Sequence, residues 1–356
     1  MEYLRIPRFF CIFATKVNLY MEKNVHELNL LRHRFVEDTA APIQVLQDPY
    51  FSQRLALFDK EYNTLQDYKS YVKFVDEAFG GNINVFLEQY HALRDRIISH
   101  VSNTDAFKMF CEDEKITKEI KEYQPVIGSP NLYTQEQVKN GSNQFLSLDL
   151  KKANFQTLKW INPAIVFDCD TYDDFIKKFT DMEWVAKSKR TREIVFGKLN
   201  PNRTMKYEKV LMGMVEQYTR KTAITEWFDL FSINSDELIY KLKPGFNFKD
   251  AINAVSKSVT EENLHFNLGL HIRIEFFELV CYHFKTANSD KIMNVFLKKH
   301  PNGTKTYKCA NEVYFPQTYK LINGIDIADD DLVFYYDKSE IAKFFKPITM
   351  VENGTA

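Results

Sequence analysis

The stretch Phe228-Asp-Leu-Phe-Ser-Ile-Asn-Ser-Asp-Glu-Leu-Ile-Tyr240 decides the fold, because it predicts two short apolar strands joined by a polar turn that carries Asp236 and Glu237. A second apolar run, Phe145-Leu-Ser-Leu-Asp-Leu150, carries Asp149. An acidic side chain within an apolar strand is costly to bury without a partner. If the run and the hairpin are neighbours in one sheet, their carboxylates meet at a shared edge.

Carboxylates that converge in this way either raise one another's pKa or hold a hard divalent cation such as Mg²⁺. The second interpretation predicts two-metal phosphoryl or nucleotidyl transfer. The arrangement resembles that of palm-type polymerases and nucleotidyltransferases, and the resemblance implies that Asp149 would bridge both ions, the Leu150 carbonyl would be a backbone ligand, Asp236 would complete the pair, and Glu237 would be an accessory acid. The alternative is structural, with Asp149 on a solvent-facing strand and the Asp236-Glu237 pair in an ordinary polar turn.

The elements around these runs predict an α+β fold with a ferredoxin-like βαββαβ sheet. In this topology the first strand lies beside the second strand of the hairpin, so Asp149 and Asp236 meet. The order of elements follows from hydrophobic periodicity and from helix-breaking residues. The first half is predicted as a strand at 145–151, helices at about 153–196 interrupted near Pro163, and a helix from Asn200-Pro201 to about Arg220 with Asn200 as cap. The second half is predicted as hairpin strands at 225–233 and 238–242, a helix at 249–259, and a strand over Leu264–Ile274, where apolar residues alternate.

The rest of the chain divides into three further predicted units. Residues 1–125 predict a helical domain, with helices at 61–79, 82–101 and 105–121, and residues 126–144 predict a linker. After the catalytic unit at 145–285, residues 286–356 predict a C-terminal α+β extension. That extension begins with a helix at 289–299 and a turn at 301–303, followed by a short strand pair and a closing amphipathic segment.

Composition excludes several classes of protein. A formal net charge of -1 over 356 residues excludes the basic excess of a protein that coats nucleic acid, although a local basic stripe remains compatible. Five cysteines without CxxC spacing favour reduced thiols in a cytosolic or nuclear compartment. The apolar patch Phe9–Ala14 is too short to span a membrane and lacks a cleavage site, so we expect an intracellular protein without a membrane partner. The sequence contains no P-loop, GxGxxG, GxSxG or HExxH motif.

A basic stretch between the two acidic runs predicts a phosphate-binding surface. Eight cations fall within the 23 residues 187–209, against only Glu193 and Glu208. Lys and Arg side chains recognise triphosphates by charge-assisted contacts. The alternative is a solvated helix face. The candidate nucleotide-binding residues are Lys187, Lys189, Arg190, Arg192, Lys198 and Arg203.

These motifs resemble those of palm-domain nucleotidyltransferases and polymerases. The run Leu148-Asp-Leu-Lys-Lys-Ala-Asn-Phe155 is similar to their first metal motif, and Ile233-Asn-Ser-Asp-Glu237 is similar to the Ser-Asp-Glu of the tRNA-histidine guanylyltransferase family. Lys189–Gly197 resembles the nucleotide-contacting helix of DNA polymerases. The resemblance covers about 145–275, and it implies a palm sheet, two Mg²⁺ ions, a nucleoside triphosphate substrate and an RNA or DNA partner. The first Asp is not followed by Gly, and the His-Asn-Asn signature of the guanylyltransferases is absent.

Two other functions compete with this prediction. The first is a non-catalytic nucleic-acid binder that uses the sheet as a platform, which predicts exposed aromatic residues where the transferase predicts clustered acids. The second is a structural or assembly protein, such as a viral one, in which the acids are incidental. Weaker motifs favour structural roles: His26 with His33, the pair His265 and His271 on one strand face, and a solvated turn at Asp329–Asp331.

Overall fold

The described residues form helices, one seven-stranded sheet and one two-stranded sheet of β-strands, an α+β architecture as the sequence predicts. The structure is a computed structural model that describes residues 25–112, 127–139, 143–286, 292–337 and 340–351. The helices are α1 (Val25–Thr39), α2 (Tyr50–Tyr62), α3 (Thr64–Phe79), α4 (Ile83–Asn103), α5 (Asp105–Glu112), α6 (Gln135–Lys139), α7 (Ala153–Ile161), α8 (Tyr172–Lys177), α9 (Glu183–Lys187), α10 (Lys189–Gly197), α11 (Pro201–Thr219), α12 (Ile224–Trp227), α13 (Phe248–Ser258), α14 (Glu261–Leu268) and α15 (Phe315–Ile322). The strands are β1 (Gln144–Leu150), β2 (Phe228–Ile233), β3 (Glu237–Leu242), β4 (Ile272–Lys285), β5 (Ile292–Lys299), β6 (Lys305–Lys308), β7 (Val333–Asp337), β8 (Glu340–Lys343) and β9 (Thr349–Val351).

The main sheet has seven strands in the order β2-β3-β1-β4-β5-β6, with β9 paired to β4. Strand β1 lies between β3 and β4 and pairs antiparallel with both. The predicted contact between the first strand and the second strand of the hairpin is therefore confirmed. In this register Asp149 lies opposite Glu237 on one side and opposite Arg273 on the other.

The two faces of the sheet differ because side chains alternate along each strand. On the back face, Leu146, Leu148 and Leu150 of β1 pack in one core with residues of α11, α13 and α14. On the front face, Phe145 packs with Phe277 in a smaller core, which Leu132 of the segment 127–139 covers. The front face thus has an apolar, covered part and, further along β1, a polar end at Asp149.

A second large core joins the helices before β1 to the helices between β1 and β2. Asp38 of α1 links the two groups directly, because it accepts hydrogen bonds from Trp184 Nε1 at 2.9 Å and from Ser188 Oγ at 2.5 Å. The Arg34 guanidinium also pairs with Asp38, at 2.7 Å. The helices of 25–112 therefore share their interior with the helices that precede the hairpin.

The predicted strand over Leu264–Ile274 is wrong for its first part, which forms helix α14. The Thr260 side chain caps this helix by accepting a hydrogen bond from the amide of Asn263, and Glu261 lies in the first turn, where the helix dipole favours an acid. Gly269 ends it with a φ of 68°. The alternation there is accidental: Phe266, which it placed with the buried residues, is 87% exposed.

The predicted helix at 289–299 is also wrong in its described part, because residues 292–299 form strand β5. This run pairs with the far half of the unusually long β4, which extends from Ile272 to Lys285. Its Val295, Phe296 and Leu297 are buried, as in a strand covered on both faces. An apolar run of this length does not distinguish helix from strand by periodicity alone.

Smaller differences concern the ends of elements. The predicted helix at 61–79 begins at Thr64, because Asn63 adopts a left-handed φ of 52° between α2 and α3. The first hairpin strand is shorter than predicted, since Ile224–Trp227 is helical. Asn200 precedes α11 without a side-chain capping hydrogen bond, contrary to its predicted role as cap. The predicted helix at 105–121 is described only to Glu112, and Phe9–Ala14 lies outside the described residues.

Candidate functional site

The end of β1 and the β2–β3 turn bring the three predicted acids together at the same end of the sheet, where these strands end. The Leu150 amide donates a hydrogen bond to the Asp236 carbonyl at 2.8 Å, which holds the turn against the strand end. The turn itself is closed by the Asn234 amide, which donates to the Glu237 carbonyl at 2.8 Å. Asp149, Asp236 and Glu237 are therefore neighbours through backbone contacts that do not depend on the acids themselves.

Glu237, Asp149 and Arg273 form a row across three strands on the front face, since directly opposed residues of an antiparallel pair share a face. Arg273 Nη2 lies 2.8 Å from Asp149 Oδ2, and Arg273 Nε lies 3.3 Å from Glu275 Oε1. Ser147 Oγ donates to Glu237 Oε1 at 2.5 Å. We call Asp149, Asp236, Glu237, Arg273 and Glu275 the acidic row.

The carboxylates of the acidic row disfavour one another's ionisation. Burial raises the pKa of Asp149, Glu237 and Glu275 raise it further, and Arg273 offsets only part of the rise. Burial also raises the pKa of Asp236, and the charges of Asp149 and Glu237 add to it, although its own amide hydrogen-bonds the carboxylate and lowers it. Negative charge is therefore in excess at this edge of the sheet.

Glu208 of α11 adds a further carboxylate behind the turn. The residue is 4% exposed, and no hydrogen bond or ion pair to it is found among the described residues. Burial, followed by the charge of Asp236, raises its pKa from 4.5 to about 7. The sequence offered little signal for this residue, because it stands as one acid within a basic stretch.

Lys298 of β5 is the buried cation of the site. It is 4% exposed, its Nζ lies 4.2 Å from the centre of the Phe277 ring, and it reaches Glu237 Oε1 at 3.6 Å. Burial lowers its pKa even though Glu237 opposes this effect. Tyr133, from the segment across the front face, has its pKa raised by burial and then by Glu237. Both side chains contact rings of the apolar part of the front face, Lys298 at Phe277 and Tyr133 at Phe296.

Sequence reasoning missed Arg273 and Glu275, although a signal was present. In Ile272-Arg-Ile-Glu-Phe276 the apolar and charged residues alternate, so the charged pair must share the face opposite Ile272. Their pairing with β1 could not be read from the sequence, because it depends on which strand is the neighbour of β1.

The donor set of the acidic row suits Mg²⁺ in part. Its ligands are carboxylate oxygens, and Mg²⁺ is usually bound by one or two carboxylates together with waters and substrate phosphates. In the described part of the chain, no group of three or more His, Cys, Asp or Glu side chains is arranged to hold a metal ion by itself. The roles of Asp149, Leu150, Asp236 and Glu237 as metal ligands therefore remain predictions.

The predicted phosphate-binding cations lie on or next to α9, α10 and α11, and several have acidic or aromatic partners of their own. Lys187 pairs with Glu183 at 3.4 Å and Lys189 with Glu193 at 3.5 Å. Arg190 reaches Glu37 of α1 at 3.4 Å. The Arg192 and Arg203 guanidinium groups lie over the rings of Tyr172 and Phe110 at 5.9 and 5.3 Å, and Lys198 is exposed. Helix α10 packs against α1 and α4, so most of this stretch supports the helical core.

The weaker motifs have structural surroundings. His265 lies on α14 and His271 just before β4, rather than on one strand, and their rings stack with centres 4.0 Å apart. Parallel stacked imidazoles do not converge on a common metal ion. Asp331 is buried and pairs with Lys320 at 2.6 Å, so the predicted solvated turn at Asp329–Asp331 is wrong for that residue.

Comparison with known proteins adds no relative: no family model, no curated protein and no solved structure matches this chain. Within the described ranges, no helix is both long and apolar enough to cross a membrane.

Proposed function

We propose that the protein is a metal-dependent nucleotidyltransferase of palm type, which transfers nucleotides from a nucleoside triphosphate to a nucleic-acid end. The observation that carries this proposal is the excess of carboxylates at the end of β1 and the β2–β3 turn, where the pKa values of Asp149 and Asp236 are raised. Such an excess favours the binding of a cation. When bound there, Mg²⁺ supplies an activated hydroxyl nucleophile and charge stabilisation at the phosphoryl group.

The topology around the site supports the proposal. The order β2-β3-β1-β4, with helices between β1 and β2 and between β3 and β4, supports the predicted ferredoxin-like βαββαβ motif. The helices pack on the back face, and the acids lie on the front face or at its edge.

The residues of the chain have separate roles in this proposal. Asp149 and Asp236 provide the cation-binding oxygens. Glu237 lies beside Asp149 and is held in place by Ser147 and Lys298, so it is an accessory acid. The competing platform binder requires exposed aromatic residues on the sheet face. Phe145 and Phe277 of the front face are instead buried under the segment 127–139, which favours the transferase.

The test is Mg²⁺-dependent incorporation of labelled nucleoside triphosphates onto RNA and DNA ends. Asp149→Asn keeps the shape of the side chain and removes its charge. We expect a loss beyond the roughly 10–100-fold that outer-shell partners of metal sites cause. Asp229→Asn is the matched control, because Asp229 is an exposed acid on β2 of the same hairpin, away from the turn. Wild-type protein without incorporation on any end, or equal effects of the two variants, would reject the proposal.

A further inference from the structure

Arg273 differs from the other cation at the acidic row in that its side chain reaches solvent. The side chain is 51% exposed, whereas that of Lys298 is 5% exposed. Its guanidinium is shared between Asp149 at 2.8 Å and Glu275 at 3.3 Å. It therefore lies beside the proposed site and is half exposed to solvent.

The pair with Asp149 is easily exchanged. Ion pairs that are half exposed contribute little net stability, because water and salt compensate for the lost partner. A divalent cation that binds Asp149 would displace the Nη2 contact, and the separate Nε contact with Glu275 would keep the guanidinium beside the site. Glu275 would thus keep Arg273 next to the site after the contact with Asp149 is broken.

The freed guanidinium has the geometry for phosphate. Its planar group of N–H donors matches two phosphate oxygens at once, which an ammonium group cannot do. Among the predicted basic residues, Lys187, Lys189 and Arg190 have acidic partners on the helices. Arg273 is attached to the acidic row itself.

We propose that Arg273 binds the phosphates of the incoming nucleotide. In the free protein its guanidinium neutralises Asp149, and the metal ion replaces it there when the metal–nucleotide binds. This inference rests on the proposed function. It predicts opposite effects of Arg273 on the metal alone and on the metal–nucleotide, which a purely structural ion pair would not produce.

The experiment is calorimetric titration of the full chain with Mg²⁺ alone and with Mg²⁺–ATP, for wild type, Arg273→Gln and Arg273→Lys. Arg273→Gln should bind Mg²⁺ about thirtyfold more tightly, the effect of removing one unit charge at about 4 Å from a doubly charged ion in nearly aqueous surroundings. It should bind Mg²⁺–ATP about tenfold more weakly, because a charge-assisted contact is lost. Arg273→Lys should restore the competition with Mg²⁺ but recover only part of the nucleotide affinity.

Arg220→Gln is the control. The Arg220 side chain is also half exposed and forms an ion pair, with Glu216 of α11, but neither residue belongs to the acidic row. If the affinities of Arg273→Gln for Mg²⁺ and for Mg²⁺–ATP change in the same direction, or do not change, the role of Arg273 is refuted. The proposed function then stands as long as the wild type still incorporates nucleotides. A wild type that binds no Mg²⁺–ATP would overturn both the assignment and the proposed function.

Discussion

Glu208→Gln should stabilise the protein above neutral pH and leave it unchanged in acid. Glu208 is 4% exposed, and its carboxylate has no cationic partner among the described residues. Glutamine has the size of the protonated acid and carries no charge. The substitution therefore removes the cost of a buried charge without opening a cavity.

The magnitude follows from the pKa. In the folded protein the pKa of Glu208 is raised from 4.5 to about 7, chiefly by burial and then by Asp236. The folded state thus holds a proton that the unfolded state has released between these two values, so wild-type stability falls as the pH rises through this window and is level above it. The total change corresponds to about 3 kcal/mol. Glu208→Gln should gain up to that amount at pH 8 and nothing below pH 4.5.

Urea unfolding at a series of pH values measures this difference, with a constant m value as the check that the denatured state is unaltered. Glu216→Gln serves as the comparison on the same helix, because Glu216 is also buried but pairs with Arg220 at 2.7 Å. That variant should lose stability at pH 8. Equal stability of Glu208→Gln and wild type at both pH values, or a loss at pH 8, would show that the Glu208 charge is compensated and would refute the reasoning.

Two further substitutions test the supports of the fold and the site. Asp38→Ala should destabilise the protein by about 3–5 kcal/mol, because it leaves the buried Arg34 charge uncompensated. Urea unfolding measures this loss, and Glu77→Ala, which breaks the exposed pair with Lys73, is the control and should show a much smaller loss. Gln156→Leu should cost about 1–3 kcal/mol, because the Gln156 side chain donates to the Lys151 and His271 carbonyls, accepts from the His271 amide and so joins the ends of β1 and β4. Hydrogen exchange should be faster at these strand ends, and unchanged exchange there would contradict this role.

The elements around the acids could be predicted because their signals are local. The hairpin turn at Asn234–Asp236 follows from turn residues between apolar runs, and the contact of β1 with β3 follows from the order of elements. The convergence of Asp149 and Asp236 then follows from the register. These steps need only alternation along a strand and the chain order.

The errors arose where a local pattern has two solutions that tertiary structure decides between. The alternation at 264–270 was outweighed by the Thr260 cap and the left-handed Gly269, which favour a helix of eight residues. The run 292–299 is a strand because the long β4 offers it an edge. Glu208 and Arg273 were missed for a related reason, since each acquires its meaning from a residue that is distant in sequence, Asp236 and Asp149.

Asp38 shows what a structural acid looks like in this chain and so clarifies the acidic row. It is buried, and its oxygens accept hydrogen bonds from Arg34, Trp184 and Ser188, so its charge is compensated. Asp236 lies at a turn where part of its surface is open to solvent, yet its partial desolvation and the neighbouring Asp149 and Glu237 raise its pKa, and the hydrogen bond from its own amide offsets this only in part. The acids of the row also have structural contacts, since Asp149 pairs with Arg273 and Glu237 contacts Ser147 and Lys298. The row differs from Asp38 in that carboxylates outnumber cations there, and the proposed cation site rests on this excess.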